Sequence, residues 1–293
     1  MSGSEPKRAG IPAFINAKSG SADKVREALE GAPGLDVRSV EPDGLGEELR
    51  QAVSGVAEAA AEAGAELAVI PGGTLNHFAK AVGIPEDAAE AASLATSGET
   101  RTVDMGYVND KLFLNTSSVG AYVLFVRTRD RMEGYHIPYA IASLLAFVRV
   151  LAGLRTFRVA VEIEGERRVY DTPLVFVGVG EREIGIPTLG GRVEGGRRGL
   201  HIIVISGRRR ASLVLLGVVA AARGVEVVSR APRSGLDAFI ADRCTIESRR
   251  PSVTVGVDGE LVTVRTPLEY RAARDALRVV APPEGAGGEG GAA

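Results

Sequence analysis

Cysteine occurs once in this chain, at Cys244, so no internal disulfide can brace the fold. Histidine occurs three times, at His77, His136 and His201, with no metal-ligand spacing, which argues against a zinc centre. Net charge is nearly absent as well. Lys and Arg number 35 against 37 Asp and Glu, a balance of −2 that removes the electrostatic case for a nucleic-acid partner. The short arginine runs Arg208–Arg210 and Arg249–Arg250 read as solvated turns. The most apolar stretch, Tyr139 to Leu154, is interrupted by Arg149 and is too short to span a bilayer. The opening residues 1–9 are polar and lack the apolar core of a signal peptide, so a cytoplasmic protein is expected.

What remains is the composition of a globular protein: 293 residues, 45% hydrophobic and 25% charged, enough for two ordinary domains. Residues 282–293 are a Gly/Ala/Glu tail with nothing to bury, and disorder is expected there and in 1–9. Between Gly10 and Val103 the texture alternates strand and helix. The apolar run IPAFIN (11–16) reads as a buried strand, LDVRSVEP (35–42) as a second, and ELAVIPGGT (66–74) as a third running into a glycine turn. Helical stretches fall at 21–32, 44–64 and 75–84, and again over EDAAEAASLATSG. That alternation predicts an N-terminal doubly wound parallel sheet, over residues 10–103. From 104 to 281 the runs become short and β-rich, and an antiparallel β-sandwich is expected, interrupted by helices near 127–154 and 211–223. A hairpin is expected with Asn109–Asp110 at its turn.

Three segments could carry chemistry. In PGGTLNHFAKAVGIP (71–85) a strand ends in Gly-Gly-Thr at a helix start, where backbone N–H groups and the helix dipole suit phosphate; the same residues also make an ordinary strand-to-helix turn. In NAKSGS (16–21) Asn16 and Lys18 could reach a phosphate, and Ser19–Gly20 would let backbone approach it, although Lys-Ser-Gly is also a common turn. In GVDGELVTV (256–264) an Asp-Gly tip joins two β-runs, as hairpins commonly do. Facing a cleft, Asp258 and Glu260 would be a carboxylate pair, one orienting and one deprotonating an alcohol for phosphoryl transfer.

In this order and spacing the three segments resemble the diacylglycerol kinase catalytic-domain family, which includes sphingoid-base kinases. The resemblance covers roughly residues 11–281. NAKSG is similar to the family's Asn-Pro-x-Ser-Gly. PGGTLNHFAKAVGIP is similar to its Pro-x-Gly-Thr-x-Asn-x-Phe-Ala segment followed by Gly-Ile-Pro, and VDGE to the C-terminal motif that bears the general base. VDMGYVNDKLFLNTSSVG resembles the strand pair between them, with Asp104, Phe113, Asn115 and Gly120 in place. The resemblance implies transfer of the γ-phosphate of ATP, with Mg²⁺, to a lipid hydroxyl at a membrane surface, on the inner face of the membrane. It implies nucleotide contacts from Asn16, Lys18, Ser19, Gly20, Gly73, Thr74 and Asn76, a general base in Glu260, and a supporting or metal-binding carboxylate in Asp258. It implies no nucleic-acid partner and leaves a homodimer open.

The chain departs from the family's pattern in two places. The Gly-Gly-Asp-Gly-Thr loop expected upstream of Pro71 does not occur. The helical stretch 44–64 stands in its place, as if about fifteen residues were deleted near Val53–Ser54. In 190–200, GGRVEGGRRGL, relatives carry an acidic pair before a glycine that helps to place Mg²⁺, and Glu194 is the acid available for that metal role here. Phosphoryl transfer depends on positioning and charge neutralisation, so these departures bear on catalysis. A non-catalytic lipid-binding or regulatory protein of the same fold is the alternative, and a soluble sugar- or NAD-type kinase a third.

Overall fold

The computed structural model describes residues 11–16, 26–27, 35–40, 57–58, 60–71, 77–133, 141, 145–146, 149–150, 153, 155–183, 191–193, 195–205 and 236–283. The chain divides into two compact units, Met1–Val103 with Ala276–Ala293, and Asp104–Asp275.

In the first unit, β1 (Ile11–Asn16) and β2 (Leu35–Val40) pair in parallel over six residues, from Ile11 opposite Leu35 to Asn16 opposite Val40. Parallel neighbours need a crossover between them, the arrangement that strand–helix alternation predicts. The strand expected over 66–74 is shorter in the structure. Only β3 (Glu66–Leu67) is paired, in parallel with the C-terminal end of the last strand at Arg278 and Val279, and residues 68–71 carry no ladder. Helix α1 (His77–Ala81) follows, then α2 (Ala88–Ser97). Asp87 caps α2, its Oδ1 accepting from Ala89 N at 2.9 Å and Glu90 N at 3.0 Å, which satisfies two donors the helix cannot.

The second unit is antiparallel. β4 (Glu99–Val108) enters it at Asp104 and turns through Asn109–Asp110 into β5 (Lys111–Phe113). Asn109, at φ 54°, takes the left-handed conformation that the turn needs. β6 (Thr116–Gly120) leads into α3 (Ala121–Glu133). The helix begins at 121, six residues before the position expected from sequence, because Gly120 at φ 103° breaks the strand and Ala121 N donates to Pro173 O at 2.8 Å. Then come β7 (Phe157–Ile163), β8 (Glu166–Thr172), β9 (Leu174–Val179), β10 (Leu200–Ile205), β11 (Leu236–Ala241), β12 (Arg243–Ser248), β13 (Ser252–Val257), β14 (Glu260–Arg265) and β15 (Leu268–Ala281).

These strands make two sheets, in the orders β11-β10-β9-β6-β13-β14 and β5-β4-β15-β12-β7-β8. Alternation decides what each buries. On β9, Val175, Val177 and Val179 are fully buried, and on β10 so are Leu200, Ile202 and Val204. They join Val159, Val161, Ile246, Leu268 and Tyr270 in one core between the sheets. Cys244 lies in that core, its thiol pushed up to about 12 by burial, which leaves it a packing group and not a nucleophile. The Tyr270 hydroxyl is satisfied there by Ser117 Oγ at 3.1 Å.

The last strand carries an irregularity that matters below. Leu268 and Tyr270 are buried at even positions, whereas Leu277, Val279 and Ala281 are buried at odd ones. The change of face falls where Asp275 adopts φ 50°, as an extra residue in one strand of a ladder produces.

Candidate functional site

Among the described residues, polar groups converge at one end of the sandwich. The turn joining β13 to β14 is Asp258–Gly259, with φ 47° and 93°, the two-residue geometry that favours Asp-Gly. Asp258 turns its carboxylate onto the segment between β5 and β6. Oδ2 accepts from Leu114 N at 2.6 Å, and Oδ1 from Asn115 N and Thr116 N at 2.8 Å each. Its own N–H donates to Thr116 O at 2.8 Å. Burial pushes this carboxyl above its ordinary range, against the pull of the three N–H donors and the Arg182 charge. A carboxylate that accepts three backbone N–H groups is a clip. Asp258 therefore holds the hairpin, its carboxylate engaged by backbone donors.

Glu260 is held by that clip. It is the first residue of β14 and stands opposite Val257, so it shares the core-side face of the sheet at its open end, where it is half-buried. Two buried polar atoms, Asn115 Oδ1 and Ser118 Oγ, have no hydrogen-bond partner among the described residues, and Ser118, paired with Gly256, lies on the opposite face of the sheet from Glu260. Ser118 and the Tyr122 ring both face Gly256, where a β-carbon would come within 2.8 Å of Ser118 Oγ and 3.1 Å of the ring. A carboxylate at a strand end can accept the proton of an alcohol.

Cations frame the same end. Arg182 is buried, its Nη2 donating to Asn115 O at 2.9 Å and Val179 O at 2.7 Å. Burial, and then the neighbouring Arg192 charge, lower it to about 10, with Asp258 opposing. Glycines make room for both guanidiniums, since a β-carbon at Gly178 would meet Arg182 Cγ at 2.5 Å and one at Gly180 would meet Arg192 Nε at 3.0 Å. The sequence signalled these glycines only as a β-run, VFVGVG, and neither arginine was legible as a site residue.

His201 supports this frame. Its Nδ1 accepts from Arg182 N at 2.9 Å, so the imidazole must be neutral at that atom, and burial lowers it below its ordinary 6.5. In the unfolded chain the same imidazole takes up a proton near 6.5. The stabilisation is therefore complete above that pH and is lost as pH falls toward the lowered folded value. Thermal melts from pH 7.5 to 5 are expected to show a shallower loss of Tm in His201→Gln than in the parent. Equal slopes would show that His201 is not the titrating group.

Of the other expected site residues, Asn16 ends β1 opposite Val40, and its side chain lies outside the described residues. Lys18, Ser19, Gly20, Gly73, Thr74, Asn76 and Glu194 lie outside them too, as do residues 44–56, where the missing loop would belong.

Mg²⁺ does not fit the described side chains. No group of three or more His, Cys, Asp or Glu among them could hold a metal. Asp258 is taken by backbone donors, and the two residues before Gly199 are Arg197 and Arg198. Arg198 donates through Nε to Asp104 Oδ2 at 2.9 Å and through Nη2 to Asp104 Oδ1.

The profile of the diacylglycerol kinase catalytic domain matches residues 43–108. The match covers less than a quarter of the chain. The chain is 32% identical over 108 residues to a diacylglycerol kinase of Bacillus subtilis, covering 34% of this chain and 33% of that one. It is 45% identical over 73 residues to a probable lipid kinase YegS-like protein of Pseudomonas aeruginosa, covering 25% and 23%. In fold it is similar to the crystal structure of a diacylglycerol kinase from Bacillus anthracis, with TM-score 0.60 and 18% identity over 95% of this chain and 99% of that one. The chain spans less than two thirds of its curated relatives' own lengths, 53% even for a Synechocystis protein with which it aligns over 241 residues. None of the described helices is long and apolar enough to cross a membrane.

Proposed function

We propose that this protein transfers the γ-phosphoryl group of ATP, supplied as its Mg²⁺ complex, to the hydroxyl of a diacylglycerol-type lipid presented at a membrane surface. What supports this reading is the hairpin clipped by Asp258, directly after which Glu260 opens β14 half-buried. In this reading Glu260 accepts the proton of the lipid hydroxyl while the new oxygen–phosphorus bond forms. The bond from the γ-phosphorus to the bridging oxygen breaks, and ADP leaves with that electron pair. The nucleotide contacts fall to Asn16, Lys18, Ser19, Gly20, Gly73, Thr74 and Asn76, and a cytoplasmic location at the inner membrane face supplies both substrates.

The test is turnover by the purified full chain with ATP–Mg²⁺ and vesicles containing diacylglycerol, monoacylglycerol or a sphingoid base. A phosphorylated lipid from one of them is expected, and its absence across the panel would sink the proposal. A second reading, a lipid-binding protein without turnover, is favoured by one observation: the residues before Gly199 are arginines. It differs in outcome, with lipid raising Tm and ATP–Mg²⁺ leaving it unchanged.

A further inference from the structure

Asp104 is the first residue of the second unit and Asp275 its last, and one arginine holds both. The Asp104 side chain is 2% exposed. Its Oδ1 accepts from Asp275 N at 2.9 Å as well as from Arg198, and its Oδ2 accepts from Arg198 Nε. Arg198 Nη2 also lies 2.9 Å from Asp275 Oδ1. Asp275 reaches this position through its left-handed backbone at the irregularity in β15, a conformation that aspartate adopts more readily than most residues. Two carboxylates, one of them enclosed, thus face a common point, and what stands there is a planar guanidinium.

We infer that Arg198 is a resident cation at a carboxylate-lined position, occupying the place a divalent ion would need, so that this chain holds no divalent metal there. The arrangement has the marks of a cation seat. A buried carboxylate needs a counter-charge, since an uncompensated one is strongly destabilising. A forked guanidinium meets both oxygens of Asp104 at once, which an ammonium cannot. Burial by itself would raise Asp104, yet its carboxyl is held below the ordinary range by the Arg198 hydrogen bonds, the Asp275 N–H and the charges of Arg198 and Arg192. Arg198 is correspondingly raised by Asp104 and then Asp275. A metal entering this position would have to expel an arginine already paired on both sides.

The test needs neither nucleotide nor lipid, so it stands or falls apart from turnover. Thermal melts of the full chain are followed in MgCl₂ or MnCl₂, with NaCl at matched ionic strength as the control. The parent is expected to show no saturable response to either divalent ion. Arg198→Gln, which removes the charge and leaves both acids, is expected to lose about 5–10 °C in Tm and to recover part of it saturably with Mn²⁺ or Mg²⁺ but not NaCl. Arg198→Lys keeps a charge without the fork, and it is expected to fold with a smaller loss and stay indifferent to divalent ions. The inference is overturned if the parent is saturably stabilised by a divalent ion and Asp104→Asn abolishes the effect. It is equally overturned if Arg198→Gln responds to divalent ions no more than to NaCl, or if Arg198→Lys responds as Arg198→Gln should.

Discussion

Replacing Asp258 by alanine is expected to destabilise the second unit by about 3–5 kcal/mol, the largest stability effect of any single substitution at this end of the sandwich. The carboxylate satisfies Leu114, Asn115 and Thr116 N–H together, and each of these donors left without a partner costs about 1–3 kcal/mol. Alanine also tolerates φ 47° poorly, whereas asparagine is among the residues that adopt it. Asp258→Asn keeps one acceptor oxygen and the turn geometry, so it should retain roughly half of the lost stability. Urea unfolding of parent, Ala and Asn forms gives the three values. A parent-like midpoint for Asp258→Ala would show that the clip contributes nothing, and the case for Glu260 being held in place would go with it.

The complementary result concerns Glu260. Glu260→Gln is expected to lower lipid phosphorylation by about 10²–10⁴-fold, the usual contribution of a positioned general base. The parent's Tm should be kept to within about 2 °C, because Glu260 is half-buried at the first position of its strand and the amide has the same shape. The contrast between the two positions is the informative measurement. One carboxylate should carry stability and the other turnover, although the sequence presents them as a matched pair two residues apart. Undiminished turnover in Glu260→Gln would remove the proton acceptor from the proposed mechanism.

Much of this site was legible without coordinates. Asp-Gly between two alternating runs announces its turn, because few other residues accept two successive left-handed conformations. Pro-Gly-Gly-Thr followed by Asn-His-Phe-Ala carries the family resemblance in the segment that the family profile matches. Period-two burial on LVFVGV and LHIIVI made strands of them in either view. What was not legible is partnership at long range. Asp258 meets residues more than 140 positions away, and nothing in VDGE says that its aspartate turns inward onto backbone while its glutamate stays at the open end. Arg198 likewise looks like one more charge in a glycine-rich run until β4 and β15 bring Asp104 and Asp275 to it.

The sequence by itself indicated strand–helix alternation at the start, short antiparallel strands after Asp104, and an acidic turn near the end. These follow from local properties, since side-chain alternation, turn residues and helix caps act within a few positions. Only the tertiary structure decided which acids are buried and by what they are neutralised. It also decided that residues 276–281 leave the sandwich unit to pair with Glu66–Leu67. Burial and counter-charge depend on which distant segments close over a group, and no neighbour along the chain carries that information.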